Sequence, residues 1–236
     1  MRVALVAVVK QESNLPEWVV WHRSWGFDEI YLVANDWQIP KGLDATYLEA
    51  PGTGIQLKVY NEWLELFGDK FDYVAFFDAD EYLYLPELKS VKDLLSGYSI
   101  AINWVFFGSN EEPDQTGVIN RFQFRAAYTD RHVKPIIRTD PTIKMLNPHF
   151  CNRPTLSPEG LTIHQAFNHK GSMNKAFLAH YFTQDEQYFA KKIARGRVDI
   201  GYKNNRTMDE WHEYNVFAND VYDPRLAERF NQLKNV

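Results

Sequence analysis

The stretch Phe71-Asp72-Tyr73-Val74-Ala75-Phe76-Phe77-Asp78-Ala79-Asp80-Glu81-Tyr82-Leu83 decides how this chain is read. An apolar run suited to a buried strand ends abruptly in three carboxylates, Asp78, Asp80 and Glu81. A strand rich in Val, Phe and Tyr packs both faces against helices, and in open α/β sheets the residues just past its carboxyl end point into the ligand crevice. Buried charges there must be paired or bind metal. Carboxylate oxygens suit Mg2+ or Mn2+, and a cation held by one or two of them keeps positions free for substrate phosphates. Asp78 and Asp80 are therefore candidate metal ligands. An Asp-x-Asp pair alone is also the make-up of a solvated turn, and the apolar strand before it separates the two readings.

Working outward, strand and helix signals alternate through the first hundred residues, the pattern of a mostly parallel sheet covered by helices. Val3 to Val9 opens it; its apolar core is short, and Lys10-Gln11-Glu12 follows without a small-residue cleavage site, so it reads as a first strand rather than a signal peptide. Ser13 or Asn14 can cap a helix with Pro16 in its first turn, and Leu15, Trp18, His22 and Trp25 repeat at helical spacing until Gly26. Ile30 to Ala34 and Thr46 to Leu48 are the next strands. Ile55, Val59 and Trp63 line a helix running to Gly68. After the acidic strand Tyr73 to Phe77, Ser90 caps a short helix through Leu95, and Ser99 to Phe107 returns as a strand.

Beyond Gly108 the grammar changes to a polar loop, Ser109 to Gly117, and then to short proline-rich segments that read as α+β. Lys175 to Phe182 reads as a strand entering a helix, with Thr183 and Glu186 spaced as a capping box; Thr207 and Glu210 repeat the signal. No repeat or linker justifies cutting the chain, so residues 1–236 form one domain with a change of character near residue 108.

Composition narrows the function. With 236 residues the chain can bury one sizeable core, and aromatics at 15% make that core bulky. A formal charge of −5 argues against a nucleic-acid partner but leaves a nucleotide ligand open, since a cation can carry its phosphates. The single Cys151 excludes an internal disulfide, fits a reducing cytosol and reads as a small packed side chain. No run approaches the roughly 18 apolar residues of a membrane span, so any membrane contact would be peripheral.

Several pieces align in order: Val9-Lys10-Gln11-Glu12 with Leu15-Pro16-Glu17-Trp18 and Trp21-His22 through Gly26-Phe27; Gln56 with Tyr60-Asn61; Asp78-Ala79-Asp80-Glu81-Tyr82-Leu83; Phe107-Gly108-Ser109; Lys134-Pro135; and His180-Tyr181. Over most of residues 1–200 this order resembles glycosyltransferases of the family 2 and family 92 type. The resemblance implies a GT-A, Rossmann-like fold: a mixed, mostly parallel sheet flanked by helices, with residues 1–108 as the nucleotide-sugar-binding half and 109–236 as an α+β acceptor-side half. It further implies a cytoplasmic, metal-dependent inverting enzyme, free or at the membrane face. Such an enzyme moves a sugar from a nucleotide diphosphate donor, with uridine the commonest base, to a saccharide or lipid-linked saccharide acceptor of surface glycans.

The same resemblance assigns roles. Lys10 and Glu12 match positions near the nucleotide, with Gln11 where the family has Asn. Asn35 and Asp36 look like its Asp-Asn pair displaced by one. Gln56, Tyr60 and Ala79 fall close to the donor, and Lys192 and Arg195 could neutralise a leaving diphosphate, although by themselves they would read as an exposed cationic helix face. His180, otherwise an ordinary core histidine, becomes a third ligand to Mn2+ or Mg2+ beside Asp78 and Asp80, which neutral imidazole suits. Exchanging Asp78 or Asp80 for Asn is expected to spare the fold, because like charges repel in a metal-free site.

Breaking a sugar–phosphate bond leaves a diphosphate with growing negative charge, and an inverting displacement needs a base on the opposite face. Glu112, with Glu111 and Asp114 as alternatives, is the candidate in the loop after Ser99 to Phe107, stiffened by Pro113. Trp104, Phe106 and Phe107 border the expected site and could stack on a sugar. Two other readings compete. One is metal-dependent nucleotidyl or phosphoryl transfer, which lacks any Gly-rich phosphate motif here. The other is a non-enzymatic carbohydrate-binding module, which leaves the alternating α/β half unexplained.

Overall fold

The computed structural model describes residues 1–112, 114–199 and 206–234. The elements run β1 (Val3–Val9), α1 (Leu15–Ser24), β2 (Glu29–Ala34), β3 (Thr46–Glu49), α2 (Gln56–Phe67), β4 (Tyr73–Phe76), β5 (Glu81–Tyr84), α3 (Val91–Leu94), β6 (Ile100–Phe106), α4 (Val118–Arg121) and β7 (Phe124–Arg125). They continue with β8 (Val133–Arg138), β9 (Met145–Asn147), β10 (Phe150–Cys151), β11 (Thr155–Leu156), β12 (Thr162–Ile163), β13 (Phe177–His180), α5 (Glu186–Arg195), α6 (Met208–Ala218), β14 (Val221–Tyr222) and α7 (Arg225–Leu233).

The main sheet has the order β12-β11-β6-β8-β4-β1-β2-β3, with β13 joining β6 and β5 joining β13. The N-terminal strands β3, β2, β1 and β4 are parallel; β2, β1 and β4 are the continuous apolar runs expected of strands covered on both faces, whereas the edge strand β3 leaves alternate residues exposed. One core lies on the α1 side of this Rossmann-like sheet, around Trp18, Trp21 and Phe77; a second lies on the α2 side, around Val59, Trp63 and Phe76. Alternate residues of β1 serve the two: Leu5 and Ala7 face one, Val6 and Val8 the other.

The first hundred residues follow the sequence pattern closely. The second half holds what the sequence does not announce. Strand β8 inserts antiparallel between β4 and β6, pairing Val74 with Ile137 and Ile102 with Lys134. The change of grammar near residue 108 is therefore no boundary in space. Strand β5 emerges from the acidic turn and pairs only with β13; its other edge is sealed by α1, whose Trp18 and Trp21 indoles donate to the carbonyls of Glu81 and Leu83, each at 2.8 Å. The His22 Nδ1–H donates to the Trp18 carbonyl at 2.8 Å while Nε2 accepts from the Leu83 amide at 3.3 Å, and burial lowers its pKa to about 3. Side chains thus satisfy an edge that would otherwise be open.

Cap chemistry differs from expectation at three helices. Asn14 precedes α1 without capping it and instead donates to Gln184. Helix α5 is capped by Asp185, which accepts from the Tyr188 amide, rather than by Thr183, whose buried hydroxyl meets the Phe107 carbonyl. Thr207 sits at the cap position of α6 but makes no cap hydrogen bond. The Ser90 cap of α3 forms as a capping box with Asp93. Among the described residues no helix is long and apolar enough to cross a membrane.

Because Trp18 both fills the α1-side core and holds the Glu81 carbonyl beside the acidic turn, Trp18→Ala is expected to lower unfolding stability by about 3–5 kcal/mol. Urea denaturation checks this, and an unchanged midpoint would mean that α1 does not brace β5.

Candidate functional site

The acidic turn is the centre of the site. Strand β4 ends at Phe76, and Asp78 to Glu81 close a turn in which the Glu81 amide donates to the Asp78 carbonyl at 3.0 Å and the Asp78 amide to Glu81 Oε2 at 2.8 Å. Asp78 and Asp80 thereby project into a cavity of about 270 Å³ at the carboxyl ends of β1 and β4. Lys10, Glu12, Gln56, Asp78, Ala79, Asp80, His180, Lys192 and Arg195 all line it, so most of the residues singled out in the sequence converge.

Each carboxylate of the turn carries a buried ammonium. Lys134, fully buried on β8, donates to Asp78 Oδ2 at 2.8 Å and lies 3.6 Å from Glu81 Oε1; Gln56 donates to Asp78 Oδ1 at 2.7 Å and to the Tyr60 hydroxyl at 2.9 Å. Burial opposes the charge on Lys134, but Asp78 and Glu81 outweigh it and hold the ammonium protonated above its ordinary range. Burial pushes Glu81 well above the usual carboxyl value in spite of Lys134. Asp80 accepts from Lys192 of α5 at 2.5 Å and lies 3.6 Å from His180 Nε2. Burial would raise its pKa, yet Lys192 and His180 together keep it well below the usual range. Burial lowers the pKa values of both Lys192 and His180 against the pull of Asp80.

Glu12 completes the α5 wall. It accepts from the Tyr188 hydroxyl at 2.9 Å and pairs with Arg195, and burial raises its pKa against the arginine's pull. The preceding Gln11 occupies the left-handed region at φ 53, a conformation uncommon for a residue with a side chain, and its carbonyl accepts from Arg195 at 2.8 Å. The opposite wall is aromatic. Trp104 packs against three imidazoles, with ring centroids 4.3 Å from His180, 5.0 Å from His132 and 5.2 Å from His149. Phe106, Phe182 and Tyr214 continue it.

The metal expectation meets this geometry unevenly. Asp78, Asp80 and His180 share the cavity, but among the described residues no three His, Cys, Asp or Glu side chains form a ligand group. As placed, they do not fit a preassembled metal centre: a Mn2+ or Mg2+ ion would have to displace Lys134 from Asp78 or Lys192 from Asp80. The same pairs argue against the expectation that Asn at position 78 or 80 spares the fold: Asp80→Asn leaves Lys192 without its carboxylate, and Asp78→Asn leaves Lys134 only the 3.6 Å contact with Glu81.

Other expected residues lie elsewhere. Asn35 is buried and donates to the carbonyls of Ala50 and Gly52, and Asp36 accepts from the Gly52 amide, so the pair braces a turn and does not line the cavity. Tyr60 stands behind Gln56. Phe107 packs on Tyr181 in the core. Nor do Glu111, Glu112 or Asp114 reach the cavity. Their loop is tied down away from it: Glu111 pairs with Arg121 at 2.8 Å, the Glu112 amide donates to the Arg121 carbonyl, and the amides of Ser109 and Asn110 donate to Asn215 and Asn219. Pro113 lies outside the described residues. Lys192 and Arg195 are no exposed cationic face, being buried in their ion pairs.

Sequence reasoning gave no role to Lys134, or to His132, His149, Arg197, Asp199, Arg206 and Glu210 on the cavity wall. One signal was available for Lys134: a lysine inside the apolar run Val133 to Ile137 needs a buried partner.

No family model and no curated protein matches the chain. Among solved structures, the bifunctional IspDF from Campylobacter jejuni overlaps 58% of this chain at 14% identity with a TM-score of 0.33, and the chain spans only 41% of its length. CTP:phosphocholine cytidylyltransferase (LicC) from Streptococcus pneumoniae overlaps 60% of this chain and 73% of its own at 15% identity and a TM-score of 0.28. A197 from STIV overlaps 74% and 98% at 15% identity and 0.30. Overlaps this weak assign neither a fold family nor a chemistry.

Lys134→Met leaves Glu81 buried beside Asp78 with no countercharge, so a stability loss of about 3 kcal/mol is expected at pH 7, the low end for a broken buried pair because Asp78 is 34% exposed. The loss should shrink as pH falls, since burial raises the Glu81 pKa and protonating that carboxyl removes charge that the ammonium balanced. Urea titrations of both proteins at pH 7 and near pH 4.5 measure it, and an equal gap at both would contradict the assigned pairing.

Proposed function

We propose that the protein is a transferase that binds a nucleotide diphosphate sugar in this cavity and passes the sugar to a saccharide hydroxyl. One observation carries the reading: residues matching a glycosyltransferase motif order, from the end of β1 to α5, line one cavity at the carboxyl ends of parallel strands. That is where open α/β sheets bind ligands.

The charge pattern supports an anionic ligand. In a chain of net charge −5, six basic residues (Lys10, Lys134, Lys192, Arg195, Arg197 and Arg206) meet five carboxylates (Glu12, Asp78, Asp80, Asp199 and Glu210) on the cavity wall. Lys192 and Arg195 would stabilise a diphosphate as its charge develops, the role for which preorganised cations are effective. The wall of Trp104, Phe106, Phe182 and Tyr214 suits the apolar face of a sugar ring.

Nucleotidyl transfer is the second reading. It is the activity named for the cytidylyltransferase LicC, and the same basic cluster would hold a triphosphate. Calorimetric titration with nucleoside mono-, di- and triphosphates and with free sugars, in Mn2+ and in EDTA, tests these readings. A nucleoside diphosphate is expected to bind in at least one condition and to lose most of its affinity in Arg195→Ala. Preference for a triphosphate would favour the second reading, and binding of sugars alone would favour a carbohydrate-binding module.

A further inference from the structure

We propose that His132 is the general base of the transfer, taking the proton of the acceptor hydroxyl, and that Asp130 positions it. This rests on the glycosyl-transfer reading above, which leaves the base unassigned because the loop carboxylates do not reach the cavity.

The geometry is that of an oriented imidazole. Asp130 Oδ1 lies 2.6 Å from His132 Nδ1 and also accepts from the His132 amide at 2.8 Å. With the carboxylate holding Nδ1–H, the lone pair of Nε2 is the one presented away from Asp130, and no described residue engages it. Both partners are fixed to β6. The Trp104 amide donates to the His132 carbonyl, the Asp130 amide donates to the Trp104 carbonyl, and Asn103 donates to the Asp130 carbonyl at 2.9 Å. The ring stacks on Trp104 and makes an edge contact with Phe167, so its direction is set by packing as well as by the carboxylate. Yet it is 29% exposed and lines the cavity, as a group that meets an incoming acceptor must.

Position and chemistry agree. Trp104 contacts both His132 and His180, and His180 faces Asp80 and Lys192, so the His132 dyad lines the same cavity as the cations assigned to the diphosphate. In the step, the acceptor oxygen forms its bond to the anomeric carbon as its proton passes to His132 Nε2. The bond from that carbon to the diphosphate oxygen breaks, and the electron pair leaves with the nucleoside diphosphate. Asp130 stabilises the imidazolium, which then returns the proton to solvent. Rival groups on the wall are engaged differently. His149 turns Nδ1 to the neutral Val133 carbonyl rather than to a carboxylate, and burial and Lys134 lower its pKa to about 4; Asp199 is bound by Arg197, and Glu210 has no orienting partner comparable to Asp130.

The test uses a nucleotide-sugar donor and a simple saccharide acceptor with the full chain. His132→Gln is expected to lower kcat by roughly a hundredfold or more while donor KM and nucleoside diphosphate affinity stay within about twofold. Added imidazole should restore part of the turnover of His132→Ala and fail to do so when Asp130→Asn is also present, a pattern that loss of structure does not produce. A wild-type protein that binds nucleotide and transfers sugar, with His132→Gln retaining a third or more of its turnover, overturns the base assignment alone, and a concurrent collapse in Glu210→Gln would move the role there. A wild-type protein that transfers no sugar overturns the glycosyl-transfer reading instead.

Discussion

The site depends on two buried ion pairs at the end of β4, Lys134 with Asp78 and Lys192 with Asp80. Two buried carboxylates, Asp80 and Glu81, beside a half-buried third, Asp78, could not be held in one turn without cations, because the desolvation of each buried charge exceeds what a turn's hydrogen bonds return. One lysine comes from the antiparallel strand that splits β4 from β6, the other from helix α5. Their partners therefore fix where those two elements sit. The cavity is the space left between a lysine-bearing strand, a lysine-bearing helix and the turn they both neutralise.

Such pairs bring geometry more than stability, since an apolar replacement of similar volume would often serve the fold as well. What they provide here is a set of charges held in place before any ligand arrives, which is the arrangement that stabilises developing charge without reorganisation. The aromatic wall around Trp104 supplies the complementary surface, apolar and ringed by imidazoles rather than by carboxylates. On the proposed reading the cations would hold the phosphates and His132 would take the proton, the division of labour that a displacement at a sugar carbon requires.

Legibility in the sequence was divided along the same line. β1 to β4 and α1 to α3 could be read because uninterrupted apolar strands, Pro16, Gly26 and the Ser90 capping box are local signals. The acidic turn was legible as a site because charge followed an apolar strand. Strand β8 was hidden: Lys134 and Pro135 interrupt its apolar pattern, and only the tertiary pairing with Asp78 explains a buried lysine there. The cap of α5 was misplaced by two residues because Thr183 and Asp185 are both good caps and the Phe107 carbonyl claims the first. Asn35 and Asp36 matched a motif position but satisfy backbone groups of the turn at Gly52. The loop carboxylates were placed near the site by chain order alone, whereas Arg121 and α6 hold that loop away. The Asp130–His132 dyad left no sequence signal beyond its spacing of two.

The most direct test of the central claim is phosphorus NMR of the products formed when the protein is given a uridine diphosphate sugar and a saccharide acceptor. Sugar transfer releases intact uridine diphosphate together with a glycosylated acceptor, and that is the predicted outcome. Uridine monophosphate with sugar 1-phosphate, or a donor that stays unchanged and unbound, would contradict the account.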